Sequence, residues 1–147
     1  MQVFDIETLG GPIATAFEKM NPPGGGDGLV VAREEGMTWI VVAIGQSSDK
    51  YVVQTRRDFD SERVEIRALE FDQYDQFMVH AREIGIAGIG AVFAEDMLDG
   101  KTYLVSLTEH GEVHRAVLGN PHECSMHIVE IANFLERVLK LAGGSSS

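Results

Sequence analysis

The fold is decided by residues 99–141, which read DGKTYLVSLTEHGEVHRAVLGNPHECSMHIVEIANFLERVLKL. Asp99-Gly100 is a turn pair, and the β-rich runs 102–107 and 112–118 are joined by the tight connection 109–111, which predicts a β-hairpin. Asn120-Pro121 then predicts the start of a long helix, because asparagine is a favoured N-cap and proline fits the first helical position.

The helix that follows the hairpin has one apolar stripe. Its apolar residues recur at alternating spacings of four and three, which keeps them on one side of an α-helix. They are Cys124, Ile128, Ile131, Leu135, Val138 and Ala142. Gly143-Gly144 ends the pattern, and residues 143–147 are expected to form a flexible tail. A hairpin followed by an amphipathic helix is typical of helices that pack on a sheet.

More strands are expected before this stretch. Runs rich in β-branched residues occupy 29–33, 38–44 and 51–55, separated by short polar turns, and they predict antiparallel strands. Residues 63–69 alternate between charged and apolar side chains, which predicts a strand with one wet face. The side chains expected to point inward are Val64, Ile66 and Ala68, and those expected to point outward are Arg63, Glu65 and Arg67.

Two further helices are predicted at residues 12–20 and 71–84, where apolar residues recur at helical spacing. Residues 21–28 (NPPGGGDG) predict a surface loop, because proline blocks a helix and glycine raises backbone entropy. The whole chain, residues 1–147, is therefore expected to form a single α+β domain. Its sheet is expected to be mostly antiparallel with about five to six strands, and about two to three helices are expected to pack on one face.

The composition is that of a folded protein of ordinary domain size. The chain has 147 residues, of which 44% are hydrophobic, and this is enough for one core. It contains no apolar run long enough to span a bilayer, and no basic segment precedes an apolar one near Met1, so a cytoplasmic protein is expected. The single cysteine excludes an internal disulfide.

The charge balance favours one kind of partner. Twenty-three acidic residues against twelve basic ones leave a formal net charge of −11. Such a surface repels phosphate backbones and anionic membranes, so neither nucleic acid nor a membrane is an expected partner. It attracts a basic protein at long range, although solubility alone also accounts for an acidic surface.

An Asp-x-Glu pair follows a short extended segment at residues 3–10 (VFDIETLG). It resembles the first motif of the DEDD exonucleases, in which such a pair binds two divalent metal ions. The resemblance implies that Asp5 and Glu7 are metal ligands. The family also requires a later Asp and, near its end, a His or Tyr followed closely by another Asp, whereas no aspartate follows Asp99. A nuclease is therefore only a remote alternative.

Four of the five histidines and the only cysteine lie between His110 and His127. Zinc and copper sites use Cys and His at close spacing, so a metal site of His114, Cys124 and His127, or an enzyme that uses this region, is an alternative. Against it, Cys124 falls in the apolar stripe, where a thiol behaves as a small hydrophobe. No spacing designates a base for a cysteine nucleophile. One core cysteine and scattered surface histidines are the simpler interpretation.

Two acidic segments are the candidate partner-binding residues. Neither has the alternating carboxylates, glycine and distant glutamate of a calcium loop. We interpret them as solvated loops that contribute to an acidic docking face. They are Asp58, Asp60 and Glu62 in the first segment, and Glu95, Asp96 and Asp99 in the second.

These observations predict a non-catalytic acidic protein that docks on a basic protein partner, as a small bacterial immunity protein, inhibitor or adaptor does. No convergent catalytic set is visible, so an enzyme is not expected. No cofactor is expected either, because the glycines at 85, 88 and 90 do not follow the order of a dinucleotide-binding loop. An exposed apolar sheet face would also allow a homodimer.

Overall fold

A computed structural model describes residues 2–94 and 101–143. Within these ranges the chain forms three α-helices and eight strands, which confirms the α+β class. The helices are α1 (Gly11–Glu18), α2 (Phe71–Glu83) and α3 (Met126–Leu139). The strands are β1 (Gln2–Phe4), β2 (Gly28–Glu35), β3 (Thr38–Ser47), β4 (Lys50–Arg57), β5 (Val64–Ala68), β6 (Gly90–Phe93), β7 (Thr102–Glu109) and β8 (Glu112–Gly119).

All eight strands belong to one sheet, in the order β1-β6-β8-β7-β2-β3-β4-β5. Six of the seven pairings are antiparallel, as expected, and β6 pairs with β8 in parallel. The sheet has more strands than the five or six predicted. The two that were not predicted as clear strands, β1 and β6, span three and four residues. Such short strands carry too few side chains to show a period of two.

The sheet is buried on both faces, whereas one helical layer was predicted. Val42 and Ile44 of β3 lie in the core formed with α2 and α3, and we call this side the two-helix face. The alternate residues Val41 and Ala43 lie in a second core that includes Phe17 of α1, and we call this side the α1 face. The prediction was wrong for α1. The physical reason is that the central strands are apolar at consecutive positions, which is typical of strands covered on both sides.

Helix α3 begins later than its sequence suggested. Asn120 has a left-handed backbone (φ 47°) and precedes a 3-10 turn at Pro121–Glu123, while Ser125 occupies the N-cap position of the α-helix. Asparagine tolerates this conformation better than most residues. The Asn120-Pro121 pair, which was interpreted as the start of the α-helix, therefore marks the turn that precedes it. The apolar stripe itself is largely confirmed, because Ile131, Leu135 and Val138 are fully buried.

The segment 21–28 lies closer to the sheet than a surface loop would. Pro22 and Pro23 are buried. A Cβ atom added at Gly45 of β3 would lie 2.9 Å from the Pro23 carbonyl oxygen, so glycine allows the two backbones to approach. At the other end of the chain, Gly143 ends a 3-10 turn, and the rest of the tail predicted at 143–147 lies outside the described residues.

Strand β5 does not have the single wet face that was predicted, because every residue of the strand except half-buried Val64 is exposed. Ile66 lies opposite Gln54 and is 60% exposed, on the side of the sheet that α1 covers elsewhere. Arg67 lies on the two-helix face and donates a hydrogen bond to the Leu141 carbonyl oxygen. The reason is that α1 has eight residues and covers the central strands, so it leaves this edge bare.

Among the described residues, no helix has the length and apolar character to cross a membrane.

Candidate functional site

A groove of about 620 Å³ lies between α1 and its face of the sheet. Helix α1 is anchored beside it by Ala16 and Phe17, which are buried against the sheet. The Arg115 guanidinium lies over the Phe17 ring, 5.3 Å from its centre, in a cation–π contact. The apolar lining consists mainly of Ile13, Ala16, Trp39, Phe59, Phe93 and Leu104.

Trp39 and Phe59 form an aromatic pair in this groove, with ring centres 5.4 Å apart and planes inclined by 51°. The turn after β4 positions Phe59. Asp58 has a positive φ of 70°, and its N–H donates to the Trp39 carbonyl oxygen at 2.6 Å. The Asp58 Oδ1 accepts the Phe59 N–H at 2.8 Å. The Phe59 ring is therefore held against the single tryptophan of the chain by backbone geometry and by one carboxylate.

Three carboxylates border the groove, those of Glu34, Asp58 and Asp60, together with the ammonium group of Lys19. Lys19 forms an ion pair with Asp60 across the mouth, and both side chains are more than a third exposed. Such an exposed pair opens at little cost in free energy. The border is thus acidic, with one cation that is already neutralised.

The structure brings part of the predicted acidic face to this groove. Asp58 and Asp60 line it, while Glu62 is exposed outside its lining. The other predicted residues, Glu95, Asp96 and Asp99, lie outside the described residues. Phe93 and Thr102 lie on either side of that segment in the chain, and both line the groove.

The residues of the alternative metal site are not assembled. Cys124 is half-buried against the two-helix core, and burial raises the pKa of its thiol above the ordinary value, which opposes a nucleophilic role. The His114 Nε2 atom lies 3.6 Å from the Glu112 Oε2 atom. His127 is exposed, and its ring lies near Gly85. Within residues 2–94 and 101–143, no group of three His, Cys, Asp or Glu side chains is placed to hold a metal ion.

The Asp-x-Glu pair near the amino terminus is likewise isolated. Asp5 directly follows β1, and Glu7 lies in a 3-10 turn at Ile6–Thr8. Both side chains are exposed, and among the described residues they belong to no group of three His, Cys, Asp or Glu side chains that could hold a metal ion.

A partly buried polar network on the two-helix face was not predicted. Arg33 of β2 donates from Nη1 to both carboxylate oxygens of Glu136 in α3, at 2.7 and 2.5 Å. The Tyr103 hydroxyl of β7 donates to the same carboxylate. The sequence signal was a glutamate directly beside the apolar stripe of α3. Its partners could not be identified, because they are 103 and 33 residues away in the chain.

This network shifts two pKa values. Burial, and then the hydrogen bond to the Glu136 carboxylate, raise the pKa of the Tyr103 hydroxyl. Burial would also raise the pKa of Glu136, but the hydrogen bonds from Tyr103 and Arg33 outweigh it and leave that pKa below the ordinary value. The network therefore ties α3 to the sheet with a carboxylate that stays ionised.

A second groove of about 600 Å³ runs between α2 and α3. Charged groups of both signs line it, including Glu83, Glu130, Arg137 and Lys140. The Arg137 guanidinium also lies 3.0 Å from the His80 ring. This mixture of charges favours neither an anionic nor a cationic ligand. The α1 groove is therefore the better candidate for a binding site.

The chain matches no protein-family model, and comparisons with curated proteins and with solved structures also found no match. A functional conclusion therefore depends on the geometry and charge of the site.

Proposed function

We propose that this chain is a non-catalytic binding protein that docks on a basic protein partner through the α1 groove. The observation that carries the proposal is an apolar, aromatic-lined groove bordered by three carboxylates. Desolvated aromatic side chains supply most of the affinity at protein interfaces, and a charged rim supplies orientation and association rate. Immunity proteins, inhibitors and adaptors are non-catalytic binding proteins of this general kind.

The occupant that fits this groove is a partner segment with an apolar side chain between lysines or arginines. The apolar side chain would enter between Ile13, Trp39 and Phe59. The flanking cations would meet Glu34, Asp58 and Asp60, where one of them can replace Lys19 in its pair with Asp60. The net charge of −11 adds long-range attraction for the same segment.

Trp39 provides a direct readout, because it is the only tryptophan in the chain and it lines the groove. Random peptides displayed on a surface would be selected on the wild-type protein. The selected sequences are expected to place an apolar residue among lysines and arginines. Synthetic versions should shift and quench the Trp39 emission, and their affinity should fall as salt concentration rises.

A matched pair of triple variants tests the site. The variant E34Q/D58N/D60N removes the three carboxylates of the groove, and an asparagine in place of Asp58 can keep the positive φ and the bond to the Phe59 N–H. The control D49N/D75N/E123Q removes three exposed carboxylates elsewhere. We expect the selected peptides to lose about 10-fold or more in affinity for the first variant and to bind the second nearly as well. Equal binding to both variants, or selection of acidic peptides, would contradict the proposal.

A further inference from the structure

Strand β5 is the last strand of the sheet, and among the described residues it pairs with β4 alone. The phase of this pairing is set by the Leu69 N–H, which donates to the Tyr51 carbonyl oxygen at 2.9 Å. In an antiparallel ladder the bonded residues alternate along each strand. The backbone N–H and C=O groups of residues 65 and 67 therefore form hydrogen bonds with β4, as the Leu69 N–H does. The N–H and C=O groups of residues 64, 66 and 68 point away from the sheet.

The side chains on this edge are unusual for an edge that stays in water. Ile66 is 60% exposed at the centre of the strand, and Ala68 is also exposed. They lie on the same side of the sheet, next to half-buried Val64. Glu65 and Arg67 alternate with them on the other side. An exposed edge strand with a central isoleucine is a template for another strand.

We propose that β5 binds a second copy of this chain, with the two β5 strands antiparallel and Ile66 opposite Ile66 of the second copy. In this register Val64 lies opposite Ala68 of the second copy, and Ala68 lies opposite Val64 of the second copy. All the backbone groups of these three residues that point outward then find partners across a two-fold axis. The two sheets become continuous, and the exposed apolar side chains cover one another.

Charge complementarity selects this register. It places Glu65 opposite Arg67 of the second copy, and the two-fold axis repeats the pair. Opposite charges in directly facing positions stabilise a strand pair, and like charges destabilise it. A two-fold register centred on Glu65 would instead place two carboxylates face to face.

The interface is small, because each copy contributes a strand of five residues. Interfaces below about 1,200 Å² are typical of weak and transient complexes. Each copy also carries a net charge of −11, so the copies repel one another at low salt. We therefore expect reversible dimerisation in the micromolar range at physiological ionic strength.

The test is a charge exchange within β5, followed by sedimentation velocity over a range of protein concentrations. Glu65→Arg places two arginines opposite one another, and Arg67→Glu places two glutamates opposite one another. Each is expected to weaken dimerisation by about 10-fold or more. The double variant E65R/R67E restores an opposite pair at both positions, so we expect its dimerisation to return to within about 3-fold of the wild type.

Controls separate this surface from changes in fold and in overall charge. Glu123→Arg and Lys101→Glu change the net charge by the same amounts at exposed positions outside β5 and its neighbour β4, and both should dimerise like the wild type. Circular dichroism and urea unfolding will show whether each variant is folded. A wild-type protein that stays monomeric at high concentration would overturn the proposal. So would a double variant as weak as the single ones, or single variants that dimerise normally. None of these residues lines the α1 groove, so this test is independent of the proposed function.

Discussion

The two faces of the sheet differ in how completely they are covered. On the two-helix face, α2 and α3 span thirteen and fourteen residues and bury a continuous apolar core. On the α1 face, a helix of eight residues covers the centre and leaves a groove and a bare edge. We therefore expect the two-helix face to contribute more to the stability of the fold than the α1 face does. The α1 face retains apolar surface that is available for binding.

The side chains show the same difference. Phe134 and Leu135 of α3 have no exposed surface, whereas Trp39 and Ile13 on the α1 face are half-buried. A half-buried aromatic residue still exposes apolar surface that a partner can bury, whereas a fully buried residue exposes none. Substitutions on the two faces should therefore separate stability from binding.

The largest effect on stability is expected from Leu135→Ala. It deletes a fully buried side chain of the two-helix core and should lower the free energy of unfolding by about 2–5 kcal/mol, since a cavity adds to the lost transfer free energy. Ile13→Ala on the α1 face is the matched control and should cost about 1 kcal/mol or less, because the side chain is half-buried. Urea unfolding measures both. Equal losses would show that the two faces contribute alike.

A smaller loss is expected when the partly buried network of Arg33, Tyr103 and Glu136 is broken. Glu136→Gln replaces the carboxylate that accepts from Arg33 by a neutral amide and should lower the free energy of unfolding by about 1–3 kcal/mol. Tyr103→Phe removes one hydrogen bond but keeps the ion pair, so it should cost about 1 kcal/mol. The same urea experiments measure both substitutions. A variant Glu136→Gln as stable as the wild type would show that the network does not hold α3 on the sheet.

The pH dependence of stability tests the same carboxylate. The pKa of Glu136 is lower in the folded protein than its ordinary value of 4.5. The stability it contributes is therefore complete above pH 4.5 and is lost as the pH falls through the lower folded pKa. We expect the difference in stability between the wild type and Glu136→Gln to shrink as the pH falls below 4.5. A difference that stays constant down to about pH 3 would contradict the lowered pKa.

The smallest effect on stability is expected from the variant of the α1 groove, E34Q/D58N/D60N. Its free energy of unfolding should stay within about 0.5 kcal/mol of the wild type, since the pair of Asp60 with Lys19 is exposed and contributes little. Thermal and urea unfolding check this expectation. A large loss would mean that these carboxylates serve the fold, and the contrast between the two faces would weaken.

Local patterns were sufficient for much of the fold. The hairpin of β7 and β8, helix α2 and the stripe of α3 were predicted, because each depends on neighbours within a few residues. The site was predicted in part. Asp58 and Asp60 were identified as acidic loop residues, but their position beside Trp39 and Phe59 was not, because those contacts depend on how the turn after β4 meets the start of β3.

The amino-acid sequence by itself determined the class of fold, most of the helices and strands, and the acidic character of the surface. These follow from side-chain periodicity, turn residues and composition. Only the tertiary structure decided that α1 covers the opposite face from α2 and α3, that Ile66 is exposed, and that Arg33, Tyr103 and Glu136 meet. The physical reason is that the central strands are apolar on both sides. Periodicity along such a strand does not say which helix covers which face, and helix length then decides how much of that face stays open.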